Sequence, residues 1–230
     1  MTVRLNIGAA ALLLAAGAWL LSGCQLGQLI GGAAQNAEYQ KLIEVLPKYE
    51  GLDNQMVAVV VVADLATLYE HPDLVRAVTG GVTLRIGKDV PGVKIVHPDA
   101  IVEWQYRTPQ WDALPFGDLT EKLNVDRVVY VDIYEYRLHP PGNSWLWEGV
   151  CAANVGVIER DGIDPDVFAD SFNVTAEFPR ITGVTREAAD ASRIERGLLT
   201  EFTKHVAWLF YTHEEPKYPD KYRPELEAGS

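Results

Sequence analysis

Residues 126–138 read DRVVYVDIYEYRL and predict one long β-strand, because Val, Ile and Tyr favour extended backbone. Two further β segments follow at 147–159 and 168–178, separated by turns rich in Pro, Gly and Asp. The segment 168–178 alternates apolar with polar residues, which predicts a strand with one face in solvent. Together the three segments predict an antiparallel meander.

The chain before this meander is expected to alternate strands with helices. Val and Ala fill residues 56–63 without alternation, which is typical of a strand buried on both faces. A second short strand is expected at 93–96. Apolar residues at helical spacing predict helices at 38–48, 73–90, 99–106 and 116–123.

After the meander, an apolar stripe predicts a long helix that Thr185 caps and that ends near residue 211. The stripe consists of Ala191, Ile194, Leu198, Phe202, Val206 and Leu209. The fold class is therefore α/β (α+β). We expect a single layered domain in which helices, including this long carboxyl-terminal one, pack on a mixed sheet of about five strands that ends in the meander.

Composition and charge narrow the class of function. Of 230 residues, 48% are hydrophobic and 23% are charged, as in ordinary folded proteins. Twenty basic residues against thirty-two acidic ones give a net charge of −12, and the basic residues form no cluster. A nucleic-acid partner is therefore not expected, because phosphate binding needs grouped Lys and Arg side chains.

The first residues carry the pattern of a secretory signal. Arg4 is the only charged residue before Glu38, and every residue from Ile7 to Leu21 is apolar or Gly. Spanning a bilayer as a helix takes roughly 20 such residues, more than this stretch contains. The sequence therefore predicts a cleaved signal over residues 1–23 rather than a transmembrane helix.

Leu21, Ser22, Gly23 and Cys24 resemble the lipobox of bacterial lipoprotein precursors. The resemblance implies that a signal peptidase recognises residues 21–23, cuts before Cys24, and leaves acyl chains on Cys24 that hold the chain in a membrane. Because the mature chain stays strongly acidic, anionic head groups repel it. Its attachment to the membrane must therefore come from the acyl chains on Cys24. Gln25 stands where inner-membrane lipoproteins of enteric bacteria carry Asp, so the resemblance implies the outer membrane facing the periplasm in a host with two membranes. The alternative is an amino-terminal helix with an incidental Cys.

Composition divides the mature chain into three parts. Residues 24–36 are rich in Gly, Ala and Gln and predict a flexible tether that starts at the lipidated Cys. Residues 37–212 are expected to form a single globular domain. Residues 213–230 are charged and punctuated by Pro, which predicts an extended arm.

The sequence carries no catalytic signature. It has neither a Gly-x-Ser-x-Gly elbow nor a His-Glu-x-x-His pattern, so no catalytic residue, metal or cofactor is expected. Cys151 lies in an apolar stretch and is expected in the core. Asp132 is an acid inside an apolar strand, so it either marks a site or lies at a sheet edge or strand end. Asp132 and Glu135 are not expected to pair, because residues three apart on a strand point to opposite faces.

Aromatic residues and the prolines beside them are the candidates for partner binding. Trp and Tyr dominate binding hot spots because they bury a large area at a low entropic cost, although they also fill cores. One group falls within the eight residues 104–111, and the other lies in and beside the Pro-rich turn. The candidates are Trp104, Tyr106, Trp111, Pro140, Pro141, Trp145 and Trp147.

The order of elements resembles a lipoprotein superfamily that shares the fold of the TolB amino-terminal domain. Its members include lipoprotein activators of penicillin-binding proteins and the curli-secretion lipoprotein, whose meander opens with Leu-x-Val-Asp and an apolar strand. Residues 123–131, LNVDRVVYV, have that form. The tether is shorter here than in the activators, and the amphipathic hairpins of the curli-secretion protein are missing. The resemblance implies a non-catalytic, membrane-tethered adaptor of an envelope machine.

Three functions stay open. The first is an adaptor, assembly or regulatory subunit of an envelope complex for secretion, transport or wall synthesis, with an envelope protein partner of unknown identity. The second is an envelope enzyme whose site is assembled from Asp132, His97, His139 or similar scattered groups. The third is a binder of a small ligand or lipid, which a closed apolar cavity between sheet and helices would indicate. A homo-oligomer is compatible with each of them.

Overall fold

The computed structural model describes residues 38–219 and residue 221. The predicted signal, Cys24, the tether and most of the predicted arm lie outside these residues. The described chain forms two compact units: one comprises residues 46–213, and the other joins residues 38–45 to the segment that starts at Glu214. The predicted domain boundaries stay a prediction.

The described residues form nine strands, five α-helices and one 3₁₀ turn. The strands are β1 (Leu42–Val45), β2 (Met56–Ala63), β3 (Lys94–Ile95), β4 (Arg127–Arg137), β5 (Leu146–Trp147), β6 (Gly149–Glu159), β7 (Asp170–Phe178), β8 (Val184–Thr185) and β9 (His213–Pro216). The helices are α1 (Leu65–Glu70), α2 (Leu74–Asp89), α3 (Pro98–Arg107), α4 (Phe116–Leu123) and α5 (Ala191–Ala207), with a 3₁₀ turn at Trp111–Ala113.

The main sheet has five strands in the order β3-β2-β4-β6-β7. β2 pairs in parallel with β3 and β4, whereas β6 runs antiparallel to β4 and β7. Parallel neighbours need crossover connections, which α1 with α2 and then α3 with α4 supply. The mixed sheet of five strands that ends in an antiparallel meander is therefore confirmed.

The two faces of this sheet are covered unequally. On one face, β-branched residues such as Val59 and Val131 pack against α2 and α5 in the larger core, where Phe202 is fully buried. On the other face, Ile101 of α3 and Leu119 of α4 contribute to a smaller core. The outward side of β7 is exposed, as its alternation predicts. Part of the second face is therefore open to solvent.

The helix predicted at 73–90 is confirmed by α2 despite its two adjacent glycines. A Cβ on Gly81 would lie 2.7 Å from Cγ2 of Thr203, so this glycine lets α2 and α5 approach closely. A Cβ on Gly80, in contrast, would have no atom within 4 Å. The helices predicted at 99–106 and 116–123 are confirmed by α3 and α4.

The helix predicted at 38–48 is wrong. The structure has β1 there instead, and β1 pairs with β9 in a two-stranded sheet. Ile43 and Val45 are β-branched and suit a strand, but the pairing that selects it comes from the other end of the described chain. The predicted arm therefore begins as a paired strand.

The long helix α5 begins later than predicted, and its cap is a different residue. Thr185 lies in β8, which pairs with β5. Asp190 caps α5 instead, because its Oδ1 accepts a hydrogen bond from the Arg193 amide at 2.7 Å. The apolar stripe of this helix is buried in the larger core at Leu198 and Phe202, as expected.

The end of α5 carries a stack of three rings within residues 46–213. Trp208 lies between His205 and His213, with ring centroids 5.6 and 4.2 Å away. Lys204 Nζ lies 4.9 Å from the centroid of the Trp208 ring. Burial lowers the pKa of His205 below its ordinary value, so this imidazole is mostly neutral at pH 7.

Candidate binding site

Asp132 occupies the middle of β4, which is the central strand of the main sheet. The alternative that it lies at a sheet edge or strand end is therefore wrong. Its neighbours Val131 and Ile133 belong to the larger core. Because side chains alternate along a strand, the Asp132 carboxylate projects from the opposite face, which is also the face of Tyr130.

Two amide side chains continue a polar row from Asp132 across the sheet. Asp132 stands opposite Asn154 of β6, and Asn154 stands opposite Asn173 of β7. Residues directly opposite each other have Cβ atoms roughly 4.5–5.5 Å apart. The row therefore places one carboxylate and two carboxamides side by side on the open face.

An aromatic wall stands beside this row. Tyr130 packs against Phe116, Phe168 and Trp111 at centroid distances of 5.5, 5.9 and 6.4 Å. Phe116 and Phe168 stack on each other at 4.5 Å. The ring of Phe168 fills the space above Gly156, where a Cβ would lie 2.5 Å from it. Gly156 is therefore needed for Phe168 to lie in the wall.

The polar row and the aromatic wall line a pocket of about 390 Å³ that is open to solvent. Its lining contains no Lys, Arg or His, and its two charged groups are both carboxylates. The lining residues are Asp112, Phe116, Tyr130, Asp132, Asn154, Phe168, Ser171, Phe172 and Asn173.

Three polar side chains that line this pocket make no hydrogen bond to the described part of the protein. Tyr130 is 9% exposed, and within residues 38–219 neither its hydroxyl nor the side chains of Asp132 and Asn154 make a hydrogen bond. Burial, and then the negative charges of Asp132 and Asp112, raise the pKa of Tyr130 to about 12. The phenol is therefore a protonated donor at neutral pH, beside unpaired acceptors.

Trp104 and Trp111, two of the predicted partner-binding residues, support this wall. The two indoles lie 5.8 Å apart, and both pack against the smaller core. Gln105 of the same helix holds α3 on the sheet, because its Nε2 donates to the Val61 carbonyl at 2.9 Å. Tyr106, in contrast, is 90% exposed. The stretch 104–111 thus contributes two indoles to packing and one solvent-exposed ring, that of Tyr106.

The second predicted group lies in the loop 138–145 between β4 and β5, here called the braced loop, and in β5 itself, which contains Trp147. Trp147 is 4% exposed, donates through Nε1 to the Ala189 carbonyl at 2.9 Å, and stacks on His139 at 4.4 Å. Trp145 is 70% exposed. Pro140 is half-buried and Pro141 is exposed. In this loop it is therefore Trp145 that offers an aromatic side chain to solvent.

Hydrogen bonds to backbone atoms hold this loop in place. The Trp145 amide donates to Asn143 Oδ1 at 3.0 Å, and the Trp145 carbonyl accepts from the Arg186 amide at 3.0 Å. Arg137 Nη1 donates to the His139 carbonyl at 2.9 Å. The exposed indole is therefore carried on an ordered backbone.

The structure does not bring together Asp132, His97 and His139, the residues named for an envelope enzyme. Neither His97 nor His139 lines the pocket of Asp132. His97 caps α3, where its Nδ1 lies 3.3 Å from the Asp99 amide, and His139 belongs to the braced loop.

Glu135 differs from its expected orientation. A β-bulge between Ile133 and Glu135 places Glu135 opposite Ala152, so it shares the face of Asp132 instead of pointing away from it. Its carboxylate accepts a hydrogen bond from Arg137 Nε at 2.9 Å. Glu135 is therefore already paired.

Residues 38–219 and 221 contain neither a membrane-spanning helix nor a cluster of metal ligands. No helix among them is both long and apolar enough to cross a bilayer. Nor do they contain three or more His, Cys, Asp or Glu side chains grouped as metal ligands.

Sequence reasoning singled out Asp132 but missed most of the pocket. Asn154 carried the same signal, since it is a polar residue between Ala153 and Val155 in an apolar strand. Nothing in the sequence shows that these two strands are neighbours in register. The aromatic wall also depends on Gly156, whose role is visible only once Phe168 lies above it.

Comparisons with known proteins give weak similarity. No protein-family model matches the sequence, and no curated protein matches it. The PelC dodecamer from Paraburkholderia phytofirmans is similar at 14% identity and a TM-score of 0.41, over 80% of this chain and 98% of that one. Lipoprotein GNA1162 from Neisseria meningitidis is similar at 10% identity and a TM-score of 0.41, over 61% of this chain and 90% of that one. These values establish no common family, and the TolB-like superfamily stays an expectation.

Proposed function

We propose that this chain is a lipid-anchored protein of the bacterial envelope that acts without catalysis, by binding an envelope protein. The anchor is Cys24, and the outer membrane facing the periplasm is its location. The lipobox-like order of residues 21–24 after a short apolar stretch supports the anchor. Binding as the mode of action is supported by the dispersal of Asp132, His97 and His139.

The observation that carries the binding role is the exposed indole of Trp145. A large aromatic side chain that is 70% exposed on a braced loop is ready to bury its area against a partner. The backbone hydrogen bonds around it reduce the ordering that binding would otherwise require. Trp145 is therefore the centre of the proposed contact surface.

The partner is tested by crosslinking in living cells. A photoreactive residue at position 145 should capture one envelope protein, whereas the same residue at Tyr69, which is 89% exposed, should not. The captured protein, once purified, should bind the chain, and Trp145→Ala should weaken that binding by at least about tenfold. Equal capture from both positions, or none from position 145, contradicts the proposal.

The anchor is tested by mass spectrometry and fractionation. The chain made in a bacterium should begin at Cys24, carry acyl chains there and pellet with membranes. Cys24→Ser should abolish both the acylation and the pelleting. A soluble cytosolic chain that retains residues 1–23 would refute the anchor.

A further inference from the structure

The pocket at Asp132 holds negative charge that the protein does not neutralise. Asp132 is half-buried in the central strand, and Asp112 lies on the same pocket. No basic side chain lines the pocket, and Asp132 has no hydrogen bond or ion pair within the described part of the chain. Placing a carboxylate in partly apolar surroundings is unfavourable unless something pairs with it.

Tyr130 adds a second and independent indication of a ligand. Its side chain is more than nine-tenths buried, lines the pocket and leaves its hydroxyl without a hydrogen-bond partner among residues 38–219. The hydroxyl oxygen is not among the fully buried polar atoms of the described residues, so it faces the open pocket and can hydrogen-bond a molecule there. The pocket therefore presents a donor and two carboxylates to whatever enters it.

We propose that this pocket binds a small organic cation. Its charged nitrogen lies against Asp132 and Asp112, and its carbon groups contact the rings of Tyr130, Phe116 and Phe168. Aromatic faces attract cations, most strongly where water is partly excluded. The carboxamide of Asn154 is available to hydrogen-bond a polar substituent, as is the amide nitrogen of Asn173, whose Oδ1 accepts a hydrogen bond from the Tyr134 hydroxyl at 3.4 Å. A volume of about 390 Å³ restricts the ligand to a small molecule.

The chemistry of the lining disfavours the two other classes of ligand. A hard metal ion prefers several oxygen ligands around it, whereas one side of this pocket is formed by aromatic rings. A neutral ligand would leave both carboxylates without a counter-charge. A cation with an apolar surface satisfies the charges and the rings together.

The test uses a matched pair of ligands of nearly the same shape. Choline and its uncharged isostere 3,3-dimethylbutan-1-ol are titrated into the full chain, purified in detergent, by calorimetry, with 1,4-diaminobutane as a second cation. At least one cation should bind, and choline, if it binds, should bind at least about tenfold more tightly than the isostere. Measurable and equal binding of choline and its isostere overturns the proposal, as does the absence of binding of both cations at about 10 mM.

Variants then locate the binding. Asp132→Asn removes the charge and keeps the shape, so it should weaken cation binding at least about tenfold. Asp73→Asn is the control, because Asp73 is exposed, makes no capping hydrogen bond and lies outside the pocket. Asp112→Asn, on the exposed 3₁₀ turn, provides a second variant if Asp132→Asn does not fold.

Three outcomes of the variant series contradict the proposal. They are unchanged binding in both pocket variants, an equal loss in the control, and Ca²⁺ binding that Asp132→Asn abolishes while choline binding persists. The test depends on neither Cys24 nor Trp145. Its failure is therefore distinct from failure of the proposed anchoring and partner binding.

Discussion

Cys151 shows at the level of one residue how burial decides reactivity. The side chain is fully buried in the larger core, as the sequence predicts. Burial, and then the charge of Glu135, raise the pKa of the thiol far above its ordinary value. Because the thiolate is the reactive form, the folded chain keeps this sulfur inert.

We expect Cys151 to resist alkylation until the chain unfolds. In a Cys24→Ser background, where Cys151 is the remaining thiol, iodoacetamide at pH 8 should leave the folded chain unmodified. The same reagent in denaturing urea should modify it completely. Mass spectrometry measures both states, and equal rates in the two would show that the thiol is accessible.

Gly156 gives a prediction with a matched glycine as its control. Gly156→Ala places a Cβ 2.5 Å from Phe168 and should destabilise the fold by about 1–3 kcal/mol, because the ring must move. Gly80→Ala meets nothing and lies in a helix, so it should be neutral or stabilise the fold by up to about 1 kcal/mol. Urea unfolding measures both, and equal effects would contradict the role of Gly156.

At the scale of elements, the start of α5 depends on one carboxylate. Asp190→Ala removes the acceptor of the Arg193 amide and should lower the unfolding free energy by about 1 kcal/mol. Thr185→Ala, at the position that the sequence favoured, should change it by less than about 0.5 kcal/mol. Thermal unfolding compares the two variants. A larger loss at Thr185 would show that Thr185, and not Asp190, caps α5.

The contact between α5 and the loop after β7 predicts a pH dependence. Burial alone would raise the pKa of Glu201, but Lys204 and Arg180, each 2.7 Å from Oε2, outweigh it and lower the pKa. A carboxyl whose folded pKa is depressed stabilises the fold above its unfolded pKa and loses that contribution as the pH falls through the folded value.

We therefore expect the stability of the wild-type chain to fall below about pH 4.5, the ordinary value of this carboxyl. Glu201→Gln cannot titrate, so its stability should fall less over the same range. Chemical unfolding at pH 3–7 measures the difference between the two chains. Parallel pH profiles would show that Glu201 does not contribute.

The element scale also shows where sequence reasoning reaches its limit. Local periodicity identified α2 and the meander strands, because each buries a face that its own spacing defines. It failed at β1, whose partner β9 is far away in sequence. It also failed at Glu135, because a one-residue bulge reverses the face of every side chain after it.

At the scale of the whole molecule, strand order decides what the sequence could not foresee. Asp132 and Asn154 are each visible as isolated polar residues, but only the pairing of β4 with β6 brings them together. The aromatic wall then comes from α4, the 3₁₀ turn and the segment before β7, which approach from separate parts of the chain. The fold class was therefore predictable, whereas the pocket was not.

The net charge of −12 leads to a prediction about extraction. An acidic chain gains nothing from anionic head groups, so the proposed acyl chains alone must hold it. Membranes washed with 1 M NaCl should retain the chain, because salt screens charges and leaves the hydrophobic anchor unchanged, and detergent should release it. Immunoblotting of the fractions measures the release. Release by salt alone would indicate electrostatic attachment through another protein.

The stack of His205, Trp208 and His213 gives the molecule an internal optical signal. A protonated imidazole in contact with an indole quenches its emission by accepting an electron from the excited ring, and a neutral imidazole does so poorly. The emission that the wild-type chain has in excess of Trp208→Phe should therefore fall as His205 gains a proton at a pH below the ordinary pKa of histidine. Emission at a single wavelength then reports whether residues 205–213 keep their folded arrangement, without any added dye.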